Sequence, residues 1–472
     1  TNKRLTSRKI AIVKSYMAHH QGMSLLAMDN CLNNNIMQQR FHADPAVRSA
    51  RLLLQEKIPE NIVFTKEDKE KVLPIKGVEV KENNLLRRYN KPNFTLPKTH
   101  ILTNGDYSVM LTDRGTGYSK TKEVAITRWR EDSTMDLYGM FCFLRHVETD
   151  TVWLGAYAPQ GLLPEKYEVV FTADKAQFKR LDENIETTTE IVVASGDNVE
   201  IRRITLKNMG EKTATMELTS YFEVILAPQA QDIAHPVFSN LFVKTEYLPE
   251  INCIIASRRP RSDKEKTWLS ASMVVFDDDK PADVQYETDR MKFIGRGRNI
   301  SSPDAVRIKT LSNSVGPVID PVMSLRSSVT IEPGKKATVS FVTAVGNQHQ
   351  PLIDLTQKYA TPELVEAAFH LAKVQSQLEA KHMDIPEGDM ELYEKMISHI
   401  LYISPLKKRY GDMAEKNTRG QSSLWTYGIS GDLPIVLVVV NNTEDHKLSY
   451  EVIKAHEYWW LQGLQVDLVI LA

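Results

Sequence analysis

One long stretch decides most of what this chain can fold into. From residue 96 to residue 347, short runs of Val, Ile, Thr, Tyr and Phe alternate with turns of Gly, Asn, Asp and Pro. Examples are YSVMLT at 107–112, GMFCFL at 139–144, YEVVFT at 167–172, IETTTEIVVA at 185–194, VEIRRITL at 199–206, ATMELTSYFEVIL at 214–226 and ATVSFVTAV at 337–345. β-Branched and aromatic side chains suit a pleated, half-buried surface, and frequent turn residues send the chain back for antiparallel pairing. Val199, Ile201, Ile204 and Leu206 alternate around the adjacent Arg202 and Arg203. So many long strands predict a large two-sheet antiparallel sandwich. No period of 20–50 residues repeats, which argues against propellers and solenoids.

Helical texture lies on both sides. Over residues 1–60, Met17, Met23, Leu25, Leu26, Met28 and Leu32 recur at helical spacing, and Asn33, Asn34 and Asn35 form a stop signal. Asp44 and Pro45 then supply an N-cap and a first-turn proline for the helix AVRSARLLLQEKI, which ends before Pro59. Residues 61–95, rich in Lys and Glu with Pro74 and Pro92, read as a connector. Residues 348–410 read as linker helices. Thr361-Pro362-Glu363 opens an amphipathic stretch with Leu364, Ala368, Leu371, Val374 and Leu378 on one face, and a second helix over 389–403 stops at Ser404-Pro405. Residues 411–472 read as the start of an α/β unit. PIVLVVV is a buried strand by composition, the helix after it is capped by Gly463, and VDLVIL is a second buried strand, giving one βαβ crossover. The expected fold class is multidomain α+β.

Composition narrows the function. The 472 residues carry 59 Lys plus Arg against 60 Asp plus Glu, a net charge of −1. That balance gives no field to steer the chain onto nucleic acid or an anionic membrane. The longest purely apolar run, Ile435–Val440, is far short of the ~18 residues of a membrane span, so this segment itself is expected to make no membrane contact. Cys31, Cys142 and Cys253 include no CxxC pair, which points to a reducing, cytoplasmic setting. The glycosylation-like triplets at Asn93, Asn299 and Asn441 are then chance matches. The chain begins on Thr and ends on a strand-like run, so both ends read as cut.

Four polar constellations stand out. His19, His20 and Gln21 sit in a helical pattern. Adjacent histidines project about 100° apart on a helix and cannot share a metal as i, i+4 ligands do, and no HExxH occurs. They read as part of a sugar cleft or as a hydrogen-bond network. At 128–132 the sequence is RWRED. On a strand, Arg128 and Arg130 share one face while Trp129 and Glu131 take the other. Trp129 for stacking, with Arg128, Arg130, Glu131 and Asp132 for hydrogen bonds, are the groups that grip a sugar. A salt-bridge network at a strand end explains them equally well. Glu287, Asp289, Arg290 and Arg296 form a third group, read as an interface or docking loop. Glu287 and Asp289, about 7 Å apart along one strand, do not by that spacing make a glycosidase pair. The loop GISGD at 428–432 precedes its strand and does not join strand to helix, the wrong side for a nucleotide site. No catalytic residue, metal site or cofactor is assigned.

Longer motifs carry a resemblance. YMAHHQGMSLLAMDNCLNNNIMQQRFHADPAVRSARLLLQEKIP closely resembles the end of the helical-barrel domain in the middle of cyclic β-1,2-glucan synthases. ILTNGDYSVMLTDRGTGYS, AITRWREDSTMDLYGMF, LAPQAQDIAHPVFSNLF, YETDRMKFIGRGR and LWTYGISGDLPIVLV resemble, in the same order, the phosphorylase-like portion of those synthases. That portion is itself similar to cellobiose and chitobiose phosphorylases. The resemblance implies that residues 1–60 are the C-terminal helices of an (α/α)6 glucoamylase-like barrel, and that 96–347 form a carbohydrate-binding sandwich. It further implies an internal fragment of a larger protein anchored in a bacterial inner membrane, with catalytic residues elsewhere. The expected partners are β-1,2-glucan or a related neutral glucan and the remaining domains of the parent chain, with homodimerisation open. Two other readings stand beside this one. One is a working glycoside phosphorylase or hydrolase using local carboxylates such as Glu131, Asp132, Glu287 and Asp289. The other is a structural spacer that never touches sugar.

Overall fold

A computed structural model describes residues 18–43, 86–92, 95–132, 134–263, 265–277, 283–383, 385, 387–405, 411–442 and 446–471. The helix expected over 46–58, the connector over 61–85 and the Asn93 triplet lie outside the described residues. The chain divides into two units, one with residues 18–43 and 411–434, the other with 86–405 and 435–471.

In the larger unit the strands are β1 (Leu86–Tyr89), β2 (Thr99–Thr103), β3 (Tyr107–Thr112), β4 (Gly117–Thr121), β5 (Ala125–Thr127) and β6 (Phe141–His146). Then come β7 (Thr151–Leu154), β8 (Lys166–Thr172), β9 (Ala176–Asp182), β10 (Ile185–Val193), β11 (Val199–Asn208) and β12 (Ala214–Ala227). The series ends with β13 (Val243–Leu248), β14 (Cys253–Arg258), β15 (Trp268–Phe276), β16 (Gln285–Asp289), β17 (Pro321–Ile331) and β18 (Lys336–Gly346). One sheet runs β1-β8-β9-β10-β11-β18-β15-β14-β13 and the other β16-β17-β12-β5-β4-β3-β2, with β6 on β12 and β7 on β6. The neighbours pair antiparallel. The expected antiparallel β-sandwich with helices is therefore present. Strand β1 belongs to the stretch read as a connector, and it forms an edge of the first sheet.

Between the sheets, Tyr107, Trp153, Phe171, Phe178, Leu218, Phe222, Met323 and Phe341 form the core. Each large side chain taken from water contributes about 1.5–3 kcal/mol. The odd phasing of VEIRRITL has a simple origin. Ile204 and Leu206 point into this core, whereas Val199 and Ile201 point to the opposite face. That outer face is covered by helices His349–Gln357 and Pro362–Met383 through Leu352, Val365, Ala368 and Phe369. Arg203, also on the outer side, lies 4.0 Å from the Phe369 ring centre and pairs with Glu366. Arg202, on the inner side, pairs with buried Glu200 at 2.6 Å. A strand covered on both faces has apolar residues of both parities, and the two arginines mark the change-over.

The helices expected as linkers are thus packed layers. Helix Glu387–Leu401 and helix His446–Leu461 cover the outer side of the second sheet, where Tyr393, Ile397, Tyr458 and Trp459 meet Ile101, Met110 and Tyr118. A buried clamp fixes them. Glu394 receives Arg87 Nη2 at 2.8 Å and the Tyr458 hydroxyl at 2.6 Å. Arg87 also approaches His100 Nδ1 at 2.9 Å, while His100 Nε2 reaches the Thr172 carbonyl at 2.9 Å. Arginine can only donate, so Nδ1 accepts and the proton sits on Nε2.

The βαβ unit is present. β19 (Ile435–Val439) and β20 (Asp467–Leu471) pair in parallel, with helix His446–Leu461 between them. Gly463 takes φ 76° after that helix, and a Cβ there would lie 2.7 Å from Ser108 Oγ. The two strands were expected to be buried, but Leu437, Ile470 and Leu471 are exposed. Among the described residues this sheet has two strands, too few to cover its own faces.

In the smaller unit, helices Ala18–Leu32 and Ile36–Ala43 meet at a turn where Asn34 and Asn35 adopt left-handed φ values of 55° and 61°. Asn30 Oδ1 caps the second helix by accepting from the Met37 amide at 2.9 Å.

Candidate functional site

Strand β12 is the hub of the second sheet. One edge pairs with β17, while the other serves β6 over Met216–Tyr221 and then β5 over Val224–Ala227. Glu223 sits at that hand-over. The Arg128 amide donates to the Glu223 carbonyl at 2.9 Å, which carries the β5 pleat one residue further. Alternation then sends Arg128 and Arg130 to one side and Trp129 to the other.

Arg128 is buried and its donors are engaged. Nε and Nη2 form a fork on Asp232 at 3.0 and 2.9 Å, Nη2 also reaches Asn240 Oδ1 at 2.7 Å, and Nη1 reaches Glu223 Oε2 at 2.7 Å. Glu223 Oε1 accepts from Arg290 Nε at 2.7 Å and from the Tyr221 hydroxyl at 3.1 Å. Asn240 Nδ2 donates to Asp320 at 2.9 Å, and Arg290 Nη1 lies 3.4 Å from the same carboxylate. Arg130 adds a looser contact, Nη2 to Asp232 at 3.7 Å. Three arginines balance three carboxylates.

The cluster is buried at one end and open at the other. The Asp232 side chain is 2% exposed and Arg128 8%, whereas Asp320 is 33%, Arg130 36% and Arg290 39%. Burial raises the Glu223 pKa, yet the charges of Arg128 and Arg290 outweigh it and hold Glu223 below the usual glutamate range. Asp320 goes the other way. Burial and then repulsion from Glu223 lift it above the usual aspartate value despite Arg290 and Arg128. Arg128 loses by burial but is held more firmly protonated by Asp232 and Glu223.

This cluster joins three of the sequence motifs: RWRED through Arg128 and Arg130, LAPQAQDIAHPVFSNLF through Asp232 and Asn240, and YETDR through Arg290. The other candidates are placed differently. Trp129 is buried edge-on between Tyr118 and Tyr402, ring centres 5.3 and 6.2 Å away, so its face offers no platform to a ligand. Glu131 is exposed. Asp132 Oδ1 accepts from the Thr134 hydroxyl and from the Thr134 and Met135 amides at 2.7–3.0 Å, and these bonds lower its pKa. Glu287 is buried and accepts from the hydroxyls of Ser312 and Ser314 and from the Thr288 and Asp289 amides. A register shift between Glu287 and Asp289 breaks the strand alternation, and Asp289 instead caps helix Arg290–Ile294 through the Met291 amide at 2.9 Å. Arg296 is exposed just beyond Gly295, where a Cβ would collide with the Asp304 carboxylate. His19, His20 and Gln21 are exposed on helix Ala18–Leu32, the two imidazoles edge to face at 4.2 Å. Among the described residues no group of His, Cys, Asp and Glu is arranged to hold a metal ion.

Sequence reasoning missed Glu223, Asp232, Asn240 and Asp320. A signal existed for Glu223, since a single acid inside the apolar run SYFEVILA has to find a cation when both faces of its strand are covered.

A long antiparallel sandwich with packed helices defines the class. Residues 82–362 match the supersandwich domain of glycosyl hydrolase 94, and the chain belongs to that family. Over 98% of its length it is 32% identical to the cyclic β-(1,2)-glucan synthase NdvB of Rhizobium meliloti (strain 1021), of which it spans 16%. It is 23% identical over 59% of its length to an N,N'-diacetylchitobiose phosphorylase of Vibrio furnissii, and 24% identical over 48% to a solabiose phosphorylase of Paenibacillus borealis. It spans 34% and 29% of those two proteins. The homology marks a glycoside-processing region. No helix among the described residues is long and apolar enough to cross a membrane.

Proposed function

We propose that this chain is the glucan-positioning part of a cyclic β-1,2-glucan synthase, holding a neutral β-1,2-linked glucan for active sites elsewhere in a longer protein and catalysing nothing alone. The observation that carries this reading is the similarity to a glucan synthase along 98% of the chain. The open end of the arginine–carboxylate cluster, Arg130, Arg290 and Asp320, is the proposed sugar contact. Planar guanidinium and carboxylate groups fixed by buried partners present hydrogen bonds to hydroxyls at little entropic cost. Three of the four local carboxylates are committed elsewhere, which leaves exposed Glu131 without the second carboxylate that a glycosidase pair needs. Glu287 and Asp289 are engaged by backbone amides, and Asp132 by its own turn.

In the same reading, residues 1–60 are the last helices of an (α/α)6 barrel, with His19, His20 and Gln21 on its sugar path. Residues 61–85 connect, 96–347 bind, the packed helices of 348–410 brace that sandwich, and 411–472 begin the next unit. The longer protein is anchored in a bacterial inner membrane with this part on the cytoplasmic side, and the loop around Arg296 serves as an interface or docking surface.

Calorimetric titration with β-1,2-gluco-oligosaccharides, run beside an assay with the same glucan and phosphate, tests the proposal. Binding without release of glucose 1-phosphate, weakened in the double variant R130A/R290A, is the expected result. Release of glucose 1-phosphate sinks the claim of inactivity, and no binding at millimolar oligosaccharide sinks the claim of positioning.

A further inference from the structure

A separate groove lies beside helix Gln229–Ala234. It has a volume of about 780 Å³ and is lined by Gln231, Phe238, Phe242, Arg259, Arg261 and Glu265, within the ~300–1,000 Å³ of small-molecule sites. Phe238 is half exposed and meets Phe242 edge to face at 5.1 Å. The Arg259 guanidinium lies 5.5 Å from the Phe242 ring centre, and that of Arg258 lies 5.4 Å from it. Arg261 is held from two sides, by Gln231 Oε1 at 3.0 Å and by Glu265 at 3.5 Å.

The charge here is not balanced as it is in the Arg128 cluster. Arg258 is 4% exposed and donates to the Ile225 and Ser239 carbonyls. Its Nε has no partner, and it makes no salt bridge among the described residues. Burial disfavours the Arg258 charge, and Glu265 and Asp232, which make no direct salt bridge to it, offset that only in part, so the local field favours an anion. Arg259 and Arg261 add to that field, and Glu265 offsets one of the three charges. The rings supply what a phosphate alone would not use, since aromatic faces take the C–H face of a pyranose while guanidinium forks take an oxyanion.

We infer that this groove binds a sugar carrying a negatively charged group, with Phe238 against the ring and Arg259 and Arg261 on the anion. The inference does not depend on neutral-glucan binding at the Arg130–Arg290 rim, and either can fail alone. Calorimetry with glucose 6-phosphate, glucose and inorganic phosphate on the intact chain tests it. Glucose 6-phosphate should bind at least about tenfold more tightly than glucose or phosphate, and more weakly as salt rises. R261A should weaken it about tenfold and F238A about fivefold, with both variants keeping the wild-type thermal midpoint because both side chains are substantially exposed. Equal binding of glucose and glucose 6-phosphate overturns the anionic part. Phosphate binding as tightly as the sugar phosphate, with F238A silent, marks an adventitious anion patch and overturns the saccharide part. A loss of binding matched by a loss of folding in R261A is resolved by R259A, whose guanidinium lies over Phe242; unchanged binding there overturns the assignment.

Discussion

Two of the ionic clusters among the described residues differ in how completely they are enclosed. In the Arg87–His100–Glu394–Tyr458 clamp, the side chains of Arg87, His100 and Glu394 are 2% exposed or less. The Arg128 cluster is sealed at Asp232 and open at Asp320 and Arg290. The titration behaviour follows. Burial works against the Glu394 charge, yet the Arg87 charge and the Tyr458 hydroxyl hold its pKa below the ordinary range. Asp320 shares its cations with a closer competitor, Glu223, and is raised. A closed cluster spends its groups on the fold, whereas a half-open one keeps groups in reserve at its rim.

The largest effect is expected at the clamp. E394A leaves Arg87 charged and buried without its carboxylate and strips the Tyr458 hydroxyl of its acceptor, at a cost of about 3–5 kcal/mol, read by urea unfolding. R128A should cost less, about 2–3 kcal/mol, because Arg290 still neutralises Glu223, Arg130 remains 3.7 Å from the buried Asp232, and water can enter from the open end. Equal losses for the two variants would break the distinction between closed and half-open. The smallest effect is a pH dependence. Because the Asp320 pKa is raised on folding, the folded chain holds that proton more tightly, so stability grows as pH falls through the raised value toward the ordinary one. Glu394 and Glu223, depressed on folding, give stability present above the ordinary glutamate value and lost as pH falls through their lowered ones. D320N should therefore remove a gain seen in the wild type between neutral pH and about pH 4, the ordinary aspartate value. Thermal midpoints that run parallel with pH in the two proteins would show Asp320 to be no different from the closed cluster.

Legibility in the sequence divides along the same line. Strands with a regular pleat could be read closely: YSVMLT is β3, and ATMELTSYFEVIL is β12 but for its last residue. The sandwich was legible because each strand carries its own pattern. RWRED was recognisable as polar and unusual, but not which of its residues would be free. Asp232 lies 104 residues from Arg128 and Asn240 lies 112 residues away, and no local spacing announces such partners. Trp129 shows the limit most clearly, since a tryptophan between two arginines suits a sugar platform and a core position equally well. Glu394 was hidden for a different reason. It lies four residues after Met390, on the same helix face, and Tyr393 and Ile397 are buried beside it. An acid there declares a buried partner without naming Arg87.

The clamp also has a consequence in time. Arg87 and Glu394 are 307 residues apart in the chain. A ribosome adding about 5–20 residues per second completes Glu394 roughly 15–60 s after Arg87. Throughout that interval the arginine has no carboxylate to meet, and the first strand of the sheet can be laid down only provisionally. Synthesis of this domain is thus closed from its far end, by one side chain arriving late.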